Sequence, residues 1–186
     1  MSSFKISKTV VAKKLQDQTL PNYSGELAVS FTAYRNVDLA SHTLYFKAPE
    51  AFLRNQINSF GGKLQYQITY SGYNMAADGG KAPDVLIVGQ GITLLFHSGL
   101  KPRPNEAINI SAPFDPYYWV LPSGAPIDRP KLMVVLTNLE GVYLKASYGL
   151  DADGQARLSK VTLDSAVAVP GDREMTEQDL ADQVTR

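Results

Sequence analysis

Through the middle of the chain hydrophobic and polar residues alternate with a period of two. In residues 27–33 the set Leu27, Val29, Phe31 and Ala33 alternates with Ala28, Ser30 and Thr32. In residues 63–71 Leu64, Tyr66, Ile68 and Tyr70 alternate with Lys63, Gln65, Gln67 and Thr69. Successive side chains of a strand point to opposite faces, so each segment predicts a strand with one core face and one solvated face. Similar runs at 43–48, 85–88, 92–97, 107–112, 142–148 and 158–167 predict further strands. Clusters of Gly, Pro and Asp punctuate them at Gly61-Gly62, Asp78-Gly79-Gly80, Gly89-Gln90-Gly91, 102–104 and 151–154. Eight or nine short strands with few helices between them predict an all-β fold, an antiparallel sandwich.

The period changes once, clearly. From Asp128 the run DRPKLMVVLTNL sets Leu132, Val135, Leu136 and Leu139 at i, i+3, i+4 and i+7. Asp128 is placed to cap the orphan amides and Pro130 is tolerated in the first turn, so this run predicts a helix whose apolar stripe closes one end or side of the sandwich. A shorter helical turn is expected at 50–57 after Pro49, and another helix from Thr176 to Val184, capped by Thr176 with Asp179 three residues on.

Composition agrees with one domain: 186 residues, 44% hydrophobic and 19% charged, enough to form a core without staples. Eighteen Lys and Arg balance eighteen Asp and Glu, which argues against charge-driven binding to nucleic acid or anionic membrane. The balance is uneven along the chain. Lys5, Lys8, Lys13 and Lys14 lie in the first twenty residues, while Asp172, Glu174, Glu177, Asp179 and Asp182 crowd the last seventeen. Exposed pairs between such flanks are worth about 0–1 kcal/mol, so they read as solvated ends. No run approaches eighteen apolar residues, and the first fourteen contain no secretory h-region, so neither membrane insertion nor a signal is expected.

The chemistry-bearing residues are sparse. The absence of cysteine excludes disulfides, thiolate metal sites and a cysteine nucleophile, and two histidines, His42 and His97, exclude a multi-histidine metal site. The histidines lie 55 positions apart without an adjacent carboxylate or nucleophile, so both read as surface or packed imidazoles. Asp151-Ala152-Asp153-Gly154 places glycine at the fourth position where a calcium loop needs it at the sixth, and reads as a hairpin turn. Gly89-Gln90-Gly91 lacks the helix of a dinucleotide fingerprint, and Gly61-Gly62-Lys63 and Gly79-Gly80-Lys81 lack the rest of a phosphate loop. No catalytic, cofactor or metal residue is therefore nominated.

Two features stay open. Phe114-Asp115-Pro116-Tyr117-Tyr118-Trp119 packs four rings into six residues on an expected loop. Tyr117, Tyr118 and Trp119 could stack on a sugar; the alternative is that the rings seal the edge of the core, with Trp119 a packing anchor. Asn22-Tyr23-Ser24 and Asn109-Ile110-Ser111 match the N-glycosylation acceptor pattern. If Ile108 and Ile110 face the core, Asn109 faces water.

From about residue 41 to 168 the chain resembles a laminin IV type A domain, also called laminin B or L4. The carriers are Tyr45-Phe46-Lys47-Ala48-Pro49-Glu50-Ala51-Phe52-Leu53, then Asn55-Gln56 and Ser59-Phe60-Gly61-Gly62-Lys63-Leu64. Pro83-Asp84-Val85 with Gly89 and Gly91 follows, then residues 132–141, Leu144-Lys145-Ala146-Ser147-Tyr148, and residues 161–166. Two departures stand out: Phe46 where many members have tryptophan, and Arg54 where glycine usually follows Phe-Leu.

The resemblance implies a jelly-roll β-sandwich of the galactose-binding-like type over residues 13–170, with residues 1–12 a flank and 171–186 an acidic tail. It also implies a non-catalytic structural or interaction module of a secreted basement-membrane glycoprotein, set between EGF-like repeats of a laminin or perlecan-like chain. Expected partners are other extracellular matrix proteins or cell-surface receptors, reached through the parent. Cysteine-rich repeats are missing and Met1 precedes no signal, so the expectation is an excised domain. A carbohydrate-binding sandwich is the alternative function. Structural calcium remains an open alternative, and no pair of acid–base groups supports a sandwich lyase.

Overall fold

The computed structural model describes residues 22–30, 43–71, 81–148 and 155–164. Among these residues nine antiparallel strands form two sheets. They are β1 (Asn22–Ser30), β2 (Tyr45–Lys47), β3 (Lys63–Ser71), β4 (Val85–Gly89), β5 (Ile92–Phe96), β6 (Ile108–Pro113), β7 (Trp119–Val120), β8 (Leu139–Lys145) and β9 (Gln155–Leu163). A four-stranded sheet runs β1-β9-β3-β6 and a five-stranded sheet runs β2-β8-β4-β5-β7. The expected antiparallel sandwich is present. Residues 13–21, the basic and acidic flanks, His42, the turns at 78–80 and 151–154, and the helix at 176–184 lie outside the described residues.

Alternation creates the core. In β3 Leu64, Tyr66, Ile68 and Tyr70 are all buried, between half-buried polar neighbours. Across the five-stranded sheet the pairings Phe46–Leu144, Leu144–Val85, Val85–Phe96 and Phe96–Trp119 make one buried row through every strand. Phe46, the departure from the usual tryptophan, is one end of that row, and the protein's own tryptophan is the other.

The turns follow from backbone freedom. Gln90 and Gly91 link β4 to β5 with φ of 52° and 70°, the two-residue hairpin geometry that suits twisted strands. Gly61, at φ 81°, reverses the chain into β3.

Helix α1 (Arg129–Thr137) begins as expected: the Asp128 carboxylate accepts from the Lys131 amide at 2.9 Å, and Pro130 sits in the first turn. Leu132, Val135 and Leu136 bury its stripe. The helix ends earlier than its periodicity suggests. Asn138 leaves helical geometry, and Leu139 opens β8 by exchanging two 2.8 Å backbone bonds with Arg54. Leu139 still reaches the core, now from a strand. The helical turn expected at 50–57 is two separate 3-10 turns, Glu50–Phe52 and Ile57–Ser59, with Phe52 buried.

Candidate functional site

The first concentration of chemistry lies inside the sandwich. Asp84 is 6% exposed, one residue before β4, and continues its ladder by donating to the Phe96 carbonyl and accepting from the Lys145 amide. A buried carboxylate must be hydrogen-bonded to be tolerated. Here the Ser98 amide and hydroxyl donate to Oδ2 at 2.8 and 2.9 Å, and the Tyr148 hydroxyl donates to Oδ1 at 2.8 Å. The Tyr66 hydroxyl reaches the Asp84 carbonyl at 3.3 Å, and the Tyr45 hydroxyl reaches the Pro83 carbonyl at 2.9 Å. Tyr148 stacks on Tyr70 with ring centroids 6.1 Å apart, and Lys145, 1% exposed, holds its Nζ 4.9 Å from the Tyr148 ring centre.

Tyr66 and Tyr70 belong to the four-stranded sheet, whereas Asp84, Lys145 and Tyr148 flank or belong to strands of the other. The cluster therefore joins the two sheets through the Tyr66 hydroxyl on the Asp84 carbonyl and the Tyr148 ring on Tyr70, while the Asp84 carboxylate ties together segments that flank the five-stranded sheet. Burial pushes the Tyr66 phenol well above its ordinary value of 10.0, and the Asp84 carboxylate adds to the shift. Burial likewise pushes Tyr148 up, with Tyr66 and then Asp84 adding to it. Neither phenol offers an anion at neutral pH, and both carboxylate oxygens of Asp84 are engaged. Among the described residues no buried side-chain nitrogen or oxygen lacks a partner. No local sequence pattern gives this cluster a role. Its signal was a charged residue closing the run Val142-Tyr143-Leu144 (Lys145) and another just before the apolar β4 (Asp84).

The aromatic segment divides in two. Asp115 accepts from the Tyr117 amide at 2.8 Å and starts the 3-10 turn Pro116–Tyr118. That turn leaves Tyr117 86% and Tyr118 49% exposed, with their rings edge to face at 5.2 Å. Trp119 is 0% exposed: it stacks on Phe114 at 5.8 Å, tilts against Phe96 at 5.5 Å and donates from Nε1 to the Pro113 carbonyl at 2.7 Å. Trp119 is thus a packing anchor with no face for a ligand, because β7 turns it inward at the sheet edge. Tyr117 and Tyr118 alone remain as surface rings.

Asn109 is exposed on β6, between half-buried Ile108 and fully buried Ile110, as its alternation implies. Asn22 pairs in register with Thr162 on β9. His97 is exposed just beyond β5. Among the described residues no three His, Asp or Glu side chains gather as they would to hold a metal ion, and no helix is long and apolar enough to cross a membrane.

The family model for laminin B (domain IV) matches residues 45–184. The chain belongs to this family. Over 183 residues, 98% of its length, it is 29% identical to the basement membrane-specific heparan sulfate proteoglycan core protein of Mus musculus, of which it spans 5%. It is 29% identical to laminin subunit alpha-1 of Homo sapiens over 89% of the chain and 6% of that protein. With the basement membrane proteoglycan of Caenorhabditis elegans it shares 28% identity over 76% of the chain and 4% of that protein. The L4b domain of human laminin alpha-2 superposes with a TM-score of 0.66 at 21% identity, covering 76% of this chain and 80% of that one. That likeness shows the sandwich fold, and the chain matches only a small part of each long relative.

The motifs that carry the family resemblance have a physical meaning in this laminin IV domain. Asp84 of Pro83-Asp84-Val85 centres the polar brace. A methyl group on Gly89 would lie 2.5 Å from the Val135 carbonyl oxygen, so this glycine lets α1 lie against β4. Arg54, at the position where glycine is usual, has φ of 72°, a backbone that glycine adopts without strain.

Proposed function

We propose that this laminin IV domain is a non-catalytic structural and interaction unit of a secreted basement-membrane glycoprotein. In this reading it is a globular element between EGF-like repeats of a laminin or perlecan-like parent, through which it meets other matrix proteins or cell-surface receptors. The observation that carries the reading is the match to residues 45–184 together with relatives that are, by name, basement-membrane proteins and laminin subunits. The interior supports it: the acidic and phenolic groups around Asp84 are engaged in hydrogen bonds within the sandwich. Antibody against the domain should stain the extracellular matrix of the source tissue and recover the protein from the detergent-insoluble matrix fraction. Staining confined to cell interiors would overturn the proposal.

A carbohydrate-binding reading rests on one observation, the exposed Tyr117–Tyr118 pair. Sugars offer an apolar face to such rings. Titration against a glycan panel, with and without calcium, should then show saturable binding that is lost in the Tyr117→Ala/Tyr118→Ala variant. Binding indifferent to both substitutions would discard this site.

A further inference from the structure

We infer that Asn109 is an N-glycosylation site whose glycan lies over the outer face of the four-stranded sheet. The inference rests on the secretory reading above, because the transfer takes place in the lumen of that pathway. Asn109 and Ser111 are both exposed while Ile110 between them is fully buried, so acceptor and hydroxyl share the solvated side of β6. Among the described residues β6 is an edge strand of its sheet. Gln67 Nε2 donates to Asn109 Oδ1 at 3.4 Å, a contact that leaves out Nδ2, the atom to which sugar attaches.

The neighbours of Asn109 make a second, independent argument. Ser159 donates to Gln67 Oε1 at 3.3 Å, so Ser159, Gln67 and Asn109 form a polar row across three strands. The adjacent row pairs Ser111 with Gln65 and Gln65 with Thr162. Solvated faces and sheet edges are commonly guarded by charge, especially lysine. These two rows carry amides and hydroxyls instead, groups that both donate to and accept from sugar hydroxyls without stripping water from an ion. The register continues from Thr162 to Asn22, so the second acceptor triplet lies on β1, the opposite edge of the same sheet.

In the transfer, Asn109 Nδ2 attacks C1 of an oligosaccharide carried on a polyprenyl pyrophosphate. The new C–N bond forms as the C1–O bond breaks, polyprenyl pyrophosphate leaves with the electron pair, and the amide nitrogen gives one proton to a base of the transferase.

The test expresses the chain behind a cleavable signal in mammalian cells. Amidase deglycosylation in heavy-oxygen water, followed by peptide mass spectrometry, is read on both secreted and cell-retained protein. Position 109 should appear as labelled aspartate, disappear in Ser111→Ala and persist in Ser111→Thr, with Asn22→Gln leaving it unchanged. Unmodified Asn109 in protein that has entered the pathway overturns the inference, and leaves the tissue-staining test of the extracellular reading standing on its own.

Discussion

The Tyr148 hydroxyl donates to Asp84 Oδ1 at 2.8 Å, joining residues 64 positions apart that flank two neighbouring strands of the five-stranded sheet. Tyr148→Phe keeps the ring against Tyr70 and removes the hydroxyl, with its bond to Asp84 and its contact with Tyr66. A hydrogen bond to a charged group contributes about 1.5–3 kcal/mol, and Asp84 Oδ1 is left in a buried site without this donor. The unfolding free energy should fall by that amount, read as a lower urea midpoint with an unchanged slope. An unchanged midpoint would mean that the two Ser98 donors alone satisfy Asp84.

The same cluster sets an alkaline limit. Tyr66 and Tyr148 have folded-state pKa values raised above the ordinary 10.0, first by burial and then by neighbouring charge or phenol. Below pH 10 both states hold these protons, and the stabilising effect is complete. Above it the unfolded chain loses protons that the folded protein keeps, so stability falls by up to about 1.4 kcal/mol per pH unit for each group. Chemical denaturation from pH 8 to 11 should show that decline beginning near pH 10. Tyr66→Phe should make it shallower, and a slope identical to the parent would exclude Tyr66 as a source.

Arg54 and Lys160 hold φ of 72° and 51°, where a Cβ crowds the following carbonyl. The strain costs roughly 1–2 kcal/mol, against roughly 0.5–1 kcal/mol of extra backbone entropy that glycine loses on folding. Arg54→Gly and Lys160→Gly should therefore each raise stability by up to about 1.5 kcal/mol. The corresponding alanine variants, which keep the strain, should be less stable than the glycine ones. Losing the Arg54–Glu50 ion pair matters little, since both side chains are largely exposed. Paired thermal melts of glycine and alanine variants decide it: equal stability at either position would remove the strain argument there.

Lys160 also shows where sequence reading stops. Ala156 and Leu158 are buried, then the phase changes to Val161 and Leu163, because pairing with both β1 and β3 slips around Lys160. A bulge of this kind depends on two neighbouring strands and leaves only a break in alternation. The β3 face, the Gln90-Gly91 turn and the Asp128 cap were legible because each is decided within a few residues. The Asp84 brace was not, since its side-chain donors come from 14 and 64 positions away. The helix end at Asn138 was hidden for the same reason, with Arg54 drawing Leu139 into the sheet. For the surface, alternation was enough to put Asn109 outside, while the inward turn of Trp119 needed its pairing with Phe96.

That inward turn separates two kinds of aromatic residue in one short segment. Trp119 is enclosed by Phe96 and Phe114, and its Nε1–H is spent on the Pro113 carbonyl. Trp119→Ala should cost about 3–5 kcal/mol through lost burial and the cavity left behind. Tyr117→Ser, at a site 86% exposed, should stay within about 0.5 kcal/mol of the parent. Any loss of partner or glycan binding in the tryptophan variant would then report unfolding, whereas a loss in the tyrosine variant would report contact. Melting both variants before any binding assay tests the division. A Trp119→Ala protein that melts with the parent would show that the ring is not the anchor its burial makes it.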